Sequence, residues 1–189
     1  MSSRERTAMP FEFEPLSLPG LVLVRTTDFP DERGWFRETY KASAFRDHGL
    51  RTDFRQDNLA VSRRGALRGL HFQRAPSRQA KLVRCVAGSI HDVVVDLRDG
   101  SSTFGTWKAV ALTARTGDAL YIPEGFGHGY CSLEDGTAVV YKVTGEYDPS
   151  AEGGIRWDDP GLGIEWPTDD PILSERDRRL PFLKDLPPL

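Results

Sequence analysis

Four side chains in this sequence have the types that proton transfer beside a carbonyl requires: His71, Lys81, Tyr141 and Arg68. An imidazole titrates near neutrality and can act as a general base. Cationic groups such as Lys81 and Arg68 stabilise the enolate oxygen that forms as the proton leaves. A phenol such as Tyr141 can return a proton to the opposite face of the carbon. Arg68 precedes His71 by three residues, so an ideal pleat would point the two to opposite faces. A bend or bulge at Gly69 is therefore expected. Spacing alone equally allows Tyr141 as a wall residue and Lys81 as a surface residue.

A second pattern runs from Gly117 to His128, Gly-Asp-Ala-Leu-Tyr-Ile-Pro-Glu-Gly-Phe-Gly-His. A glycine, five residues and then Pro-x-Gly-x-x-His resembles the second motif of the cupin superfamily. Physically it reads as a turn at Gly117, a strand over 119–122, a tight turn at Pro123 and Gly125, and His128 pointing inward from the next strand. The competing reading is a plain hairpin with a satisfied core histidine. Metal-binding cupins also carry His-x-His followed by glutamate. Here the corresponding stretch is Arg68-Gly-Leu-His71-Phe-Gln73, and no glutamate follows before Lys81. Transition metals want three or four His, Cys or carboxylate ligands. His48 and His91 lie in other segments, so no metal and no cofactor is expected.

The elements that must position these groups are short strands. Thirteen prolines and 18 glycines in 189 residues imply frequent turns. Strand patterns occur at 21–25, 35–40, 54–61, 67–73, 81–87, 89–98, 106–113, 119–122, 129–133 and 137–144. These short strands are regularly spaced and show no βαβ rhythm, which argues for an all-β sandwich or barrel. Residues 41–48 read as a short helix closed by Gly49. In the run 91–97, His91, Val93, Val95 and Leu97 share one face, and Asp92, Val94 and Asp96 the other. One domain spans 1–189: a loose arm at 1–15, a barrel over about 21–147, and a proline-rich tail from about 148 wrapped over it. Trp157 and Trp166 read as packing of that tail.

Net charge is −3, with no basic face to suit nucleic acid. No apolar run could span a bilayer, and the first ten residues lack a signal-peptide pattern, so a cytoplasmic protein is expected. Cys85 and Cys131 are too few for a disulfide framework and read as buried thiols.

From about Leu21 to Pro181 the chain resembles the dTDP-4-dehydrorhamnose 3,5-epimerase family. The resemblance rests on Asp31-Glu-Arg-Gly-Trp-Phe-Arg-Glu38, Gln56-Asp-Asn58, Leu67-Arg-Gly-Leu-His71-Phe-Gln73, Gln79-Ala-Lys81, Asp92-Val-Val-Val-Asp-Leu-Arg98, Pro123-Glu-Gly-Phe-Gly-His128, Tyr141-Lys-Val-Thr-Gly-Glu-Tyr147 and Leu173-Ser-Glu-Arg-Asp177. It implies a cupin-type double-stranded β-helix, a jelly-roll barrel with few short helices. It also implies epimerisation of dTDP-4-keto-6-deoxyglucose at C3 and C5. His71 would be the base, oriented by Asp177, and Tyr141 the acid, with Lys81 and Arg68 on the enolate oxygen. Tyr147 would stack on thymine. Arg33, Glu38, Gln56, Asn58, His128 and Glu152 would line the nucleotide-sugar site, and Arg33 would reach a pyrophosphate. A homodimer with exchanged N-terminal strands is implied as well. Arg176 stands where the family often has lysine, which changes the contact geometry while keeping charge. Two other readings compete: a single-centre C3 or C5 epimerase, and a non-catalytic cupin that binds a sugar nucleotide. Loss of the acid and base would favour the latter, yet both are present.

Overall fold

The computed structural model describes residues 9–187. Two antiparallel sheets face each other. The first has six strands in the order β1 (Phe11–Pro15), β2 (Val22–Thr26), β10 (Ala119–Ile122), β7 (Lys81–Ala87), β12 (Thr137–Val143) and β5 (Gln56–Ser62). The second runs β13 (Glu152–Gly154), β6 (Leu67–Gln73), β11 (Phe126–Ser132), β8 (Ser89–Asp96) and β9 (Trp107–Thr113). A separate hairpin joins β3 (Asp28–Asp31) to β4 (Gly34–Arg37). This is the cupin-type jelly roll that the sequence implies.

Alternation along the strands sorts the side chains into three apolar layers. Leu23, Val83, Cys85, Val94, Leu120, Ile122, Phe126 and Val139 fill the space between the sheets. On the outside of the first sheet, Phe11, Val22, Val24, Leu82 and Tyr121 pack under α1 (Ala42–Asp47), which contributes the fully buried Phe45. Burying a phenylalanine of that kind stabilises the fold by about 2–3 kcal/mol. Outside the second sheet, Val93, Val95 and Leu97 meet Ile155, Leu162 and Trp166 of the tail. Residues of the C-terminal part thus pack on the second sheet, with His91 against Trp166 at 6.0 Å between ring centroids.

Some boundaries differ from the sequence reading. Residues 1–8 of the expected loose arm lie outside the described residues, but 11–15 are not loose: β1 pairs with β2 of the same chain, from Phe11 against Thr26 to Pro15 against Val22. Phe11 is buried there, giving the arm the apolar anchor that its charged composition concealed. The run at 35–40 stops as a strand at Arg37. The tail, despite its prolines, holds β13, α2 (Glu175–Arg178) and a 3₁₀ turn at Leu183–Asp185. Cys85 and Cys131 are buried free thiols. Among the described residues, no helix is long and apolar enough to cross a membrane.

The expected irregularity at Gly69 is present. His128 pairs with His71, but Tyr130 pairs with Arg68, so β6 carries an extra residue between these two pairs. The shift returns Arg68 to the inward face that His71 occupies. Gly69 has a φ of 126°, and a Cβ there would sit 2.5 Å from the Gly129 Cα. Gly69→Ala should therefore destabilise the protein by about 3 kcal/mol through strain and collision, read as a lowered midpoint in denaturant unfolding.

Candidate active site

Between the sheets, at the end where β5, β6, β7, β12 and β13 meet, lies a cavity of about 270 Å³. Gln56, Asn58, His71, Lys81, Tyr141, Tyr147 and Glu152 line it, together with Phe72, Gln73, Gln79 and Val143. Strand periodicity explains the gathering. Lys81 stands in the same inward row as the core residues Val83 and Cys85. Tyr141 stands in the row of Val139 and Val143, directly opposite Asn58 on β5. Gln56 and Asn58 point the same way, and the Gln56 amide donates to the Asn58 side chain at 2.9 Å. A larger hollow beside Phe11, Phe13 and His48 has no comparable acid–base pair, because His48 stacks on Phe13 and bonds the Ala44 carbonyl.

His71 is tied to the tail. Its Nε2 lies 2.6 Å from Asp177 Oδ1, across 106 residues of sequence. Asp177 is only 4% exposed, so it is not one charge in a solvated Glu-Arg-Asp-Arg-Arg run. Ser174 caps α2 by accepting the Asp177 backbone N–H at 3.0 Å, which fixes the start of the helix and the carboxylate on it. Burial acts to raise the Asp177 carboxyl, but the His71 hydrogen bond and charge, with Ser174 and Arg176, together hold it below its ordinary value. An ionised Asp177 accepts the Nε2 proton, leaving the Nδ1 lone pair as the basic atom.

Burial pushes the Lys81 ammonium down to about 8, against the opposing pull of Asp92 and then Glu152. Its Nζ also donates to the His71 carbonyl at 3.4 Å. Burial raises the Tyr141 phenol, and Arg68 acts in the other direction. Tyr141 thus stays protonated through the neutral range, as a proton donor must. Arg68 does not line the cavity; its guanidinium donates to Ser62 Oγ at 3.1 Å.

At the mouth, the Tyr147 hydroxyl donates to Glu152 at 2.8 Å and Arg176 pairs with the same carboxylate at 2.6 Å. The Tyr147 ring is half exposed and free for a planar partner. His128, expected to line the site, is buried beside His71, and its Nε2 lies 2.9 Å from Asp92 Oδ2. Arg33 and Glu38 are not brought to this cavity. Arg33 lies exposed at the β3–β4 turn and pairs with Asp31. Among the described residues, no group of three or more His, Cys, Asp or Glu is arranged to hold a metal ion.

Sequence reading passed over Ser174, Asp92, Gln73 and Gln79 as members of the site. Ser174-Glu-Arg-Asp177 has the Ser-x-x-acid form of a helix start, which would have marked the first. An acid facing inward within the apolar run of β8 would have marked the second. Gln73 and Gln79 carry no such signal: each bonds backbone of the 145–148 segment, a tertiary contact.

A jelly-roll barrel whose cavity gathers a carboxylate-paired imidazole, a lysine and a phenol has the architecture of a cupin. The chain belongs to the dTDP-4-dehydrorhamnose 3,5-epimerase family, whose profile matches residues 15–185. The dTDP-4-dehydrorhamnose 3,5-epimerase of Methanothermobacter thermautotrophicus is 46% identical over 180 residues, 94% of this chain and 97% of that one. The crystal structure of the enzyme of the same name from Bacillus anthracis, with TDP and PPi bound, superposes with a TM-score of 0.90 at 40% identity, covering 92% of this chain and 99% of that one. The Legionella pneumophila epimerase in complex with dTDP-4-keto-L-rhamnose gives a TM-score of 0.90 at 36% identity, over 94% and 95% of the two chains.

The geometry makes a direct prediction for the free protein. Acylation of Lys81 by a small amine reagent should rise with pH through a midpoint of about 8, followed by peptide mass mapping. A midpoint near the ordinary lysine value would contradict the enclosed placement of its ammonium.

Proposed function

We propose that this protein is an isomerase that epimerises dTDP-4-keto-6-deoxyglucose at C3 and C5, in deoxysugar biosynthesis. The observation that carries the reading is the His71–Asp177 dyad in one cavity with Lys81 and Tyr141. His71 Nδ1 takes the proton from the carbon beside the ketone. The C–H electron pair moves into the carbonyl and leaves an enolate. Lys81 neutralises the oxygen, and Arg68, held on Ser62 outside the cavity, adds positive potential from the side of Tyr141. The Tyr141 phenol then protonates the carbon from the opposite face, inverting it, and solvent restores both groups. The second centre follows by the same steps.

Around this core, Gln56, Asn58, Glu152 and Arg176 hold the nucleotide-sugar, and Tyr147 stacks on the thymine. The reading takes no cofactor. It is supported by the relatives' names and by the nucleotides bound in their structures. A homodimer is part of the proposal; because β1 and β2 pair within their own chain, the N-terminal element left to be exchanged is the β3–β4 hairpin. The β3–β4 hairpin exposes Trp35 and Phe36, while β5 exposes Leu59 and Val61. Such a contact would let Arg33 and Glu38 reach a partner's cavity, Arg33 on the pyrophosphate. The whole chain, 1–189, works as one domain, and the buried free thiols suit the cytoplasm.

Incubation with dTDP-4-keto-6-deoxyglucose in heavy water, followed by NMR, tests the reaction. Deuterium is expected at both C3 and C5. Label at one centre only would reassign the protein as a single-centre epimerase, and no label despite nucleotide binding would make it a binding module. His71→Ala and Asp177→Asn should each lower kcat by roughly 10²- to 10⁴-fold with ligand binding largely kept. The rate should also fall as pH rises through about 8, where Lys81 loses the charge that the enolate needs; a flat profile to pH 10 would remove Lys81 from that role.

A further inference from the structure

Beside the His71–Asp177 dyad the barrel holds a second, deeper imidazole–carboxylate pair that the reaction scheme leaves without a task. His128 and His71 are register partners on β11 and β6, so their side chains share the inward face. His128 Nε2 lies 2.9 Å from Asp92 Oδ2. Asp92 is fully buried, and its second oxygen, Oδ1, has no hydrogen-bond partner. Buried carboxylate oxygens are normally satisfied, because an unpaired one costs about 1–3 kcal/mol or more. Lys81 Nζ donates to the carbonyl of His71, the register partner of His128, so this spare acceptor and the ammonium belong to one end of the interior, and the acceptor has an electrostatic use there that packing does not explain.

We infer that Asp92 is a positioning residue of the epimerase site, fixing the His128 ring as the Nε2–H tautomer and supplying the interior countercharge that keeps Lys81 an ammonium. The inference rests on the functional reading above. Across from Lys81, the opposite sheet supplies Asp92 on β8, Glu152 on β13, His128 on β11 and the His71 carbonyl on β6, while the adjacent strand β12 brings the Tyr141 phenol into the same cavity. Of the two carboxylates, Asp92 acts on Lys81 more strongly, although Glu152 lines the cavity. Glu152 is already shared by Arg176 and Tyr147. Asp92 has only a neutral partner, since burial, Lys81 and His71 outweigh its own pull and keep the His128 imidazole unprotonated. A neutral His128 spends none of the Asp92 charge, so that charge is left for Lys81. It also adds no second cation beside the ammonium.

Asp92→Asn in the full-length chain tests this. The amide keeps the side-chain shape and an oxygen for the His128 N–H but removes the charge. The alkaline limb of kcat should then move down by about one pH unit, with kcat at pH 8 lowered roughly tenfold and KM changed less than about threefold. A loss that is equal at every pH, or no change, would overturn the countercharge. The ring assignment is read without any variant, from ¹⁵N shifts of His128 in the unmodified protein. A neutral imidazole protonated on Nε2 is expected from pH 6 to 8, and an imidazolium or an Nδ1–H tautomer would overturn it. If Asp92→Asn does not fold, the tautomer decides the inference. If the unmodified protein shows no deuterium incorporation, the epimerase reading fails, while the tautomer still reports what Asp92 does to His128.

Discussion

The bond between His71 and Asp177 sets the conditions under which the rest of the molecule is useful. A histidine on a barrel strand has one defined tautomer and orientation when a partner fixes one ring nitrogen, and here that partner comes from a four-residue helix near the end of the chain. A helix so short has almost no stability of its own. It is held because Ser174 caps it and because the tail around it is pinned to the outer face of the second sheet by Ile155, Leu162 and Trp166. Packing on the outside of the barrel is therefore coupled to acid–base chemistry on the inside.

The interior of the cavity follows a second constraint, the balance of charge in a medium that solvates poorly. Burial pushes the Lys81 ammonium down to about 8, and Asp92 and then Glu152 act against that fall. Tyr141 is pushed the opposite way, toward retention of its proton. One environment thus lowers the threshold of an amine and raises that of a phenol, because burial disfavours the charged form of each.

Much of this was legible in the residues. β-rich runs separated by glycine or proline located β6, β7 and β10 at their observed limits, and the parity argument at Gly69 located the bulge that aligns Arg68 with His71. What remained hidden was of two kinds. The strand at 11–15 has only five residues, two of them charged, and its pairing depends on β2 rather than on its own pattern. The burial of Asp177 was hidden for a similar reason: four neighbouring charges make the local composition read as solvent-facing, and only the docking of the tail turns one of them inward. The places of Arg33 and Glu38 could not follow from strand patterns, since a hairpin standing off the barrel can face its own chain or another.

The close approach of β6 and β11 bears on how such a barrel can diversify. A Cβ at Gly69 would strike Gly129, and a Cβ at Gly129 would come within 2.8 Å of the Arg68 carbonyl. Neither glycine can drift while the other stays, and changing both at once would part the strands that carry His71 and His128. The floor of the cavity is in effect a closed door to gradual mutation. The rim is under no such restraint: Tyr147, Glu152 and Arg176 touch one another through side chains alone, on loops and a tail that bend around insertions. New sugar preferences would accordingly arise by rewriting the rim of an inherited floor.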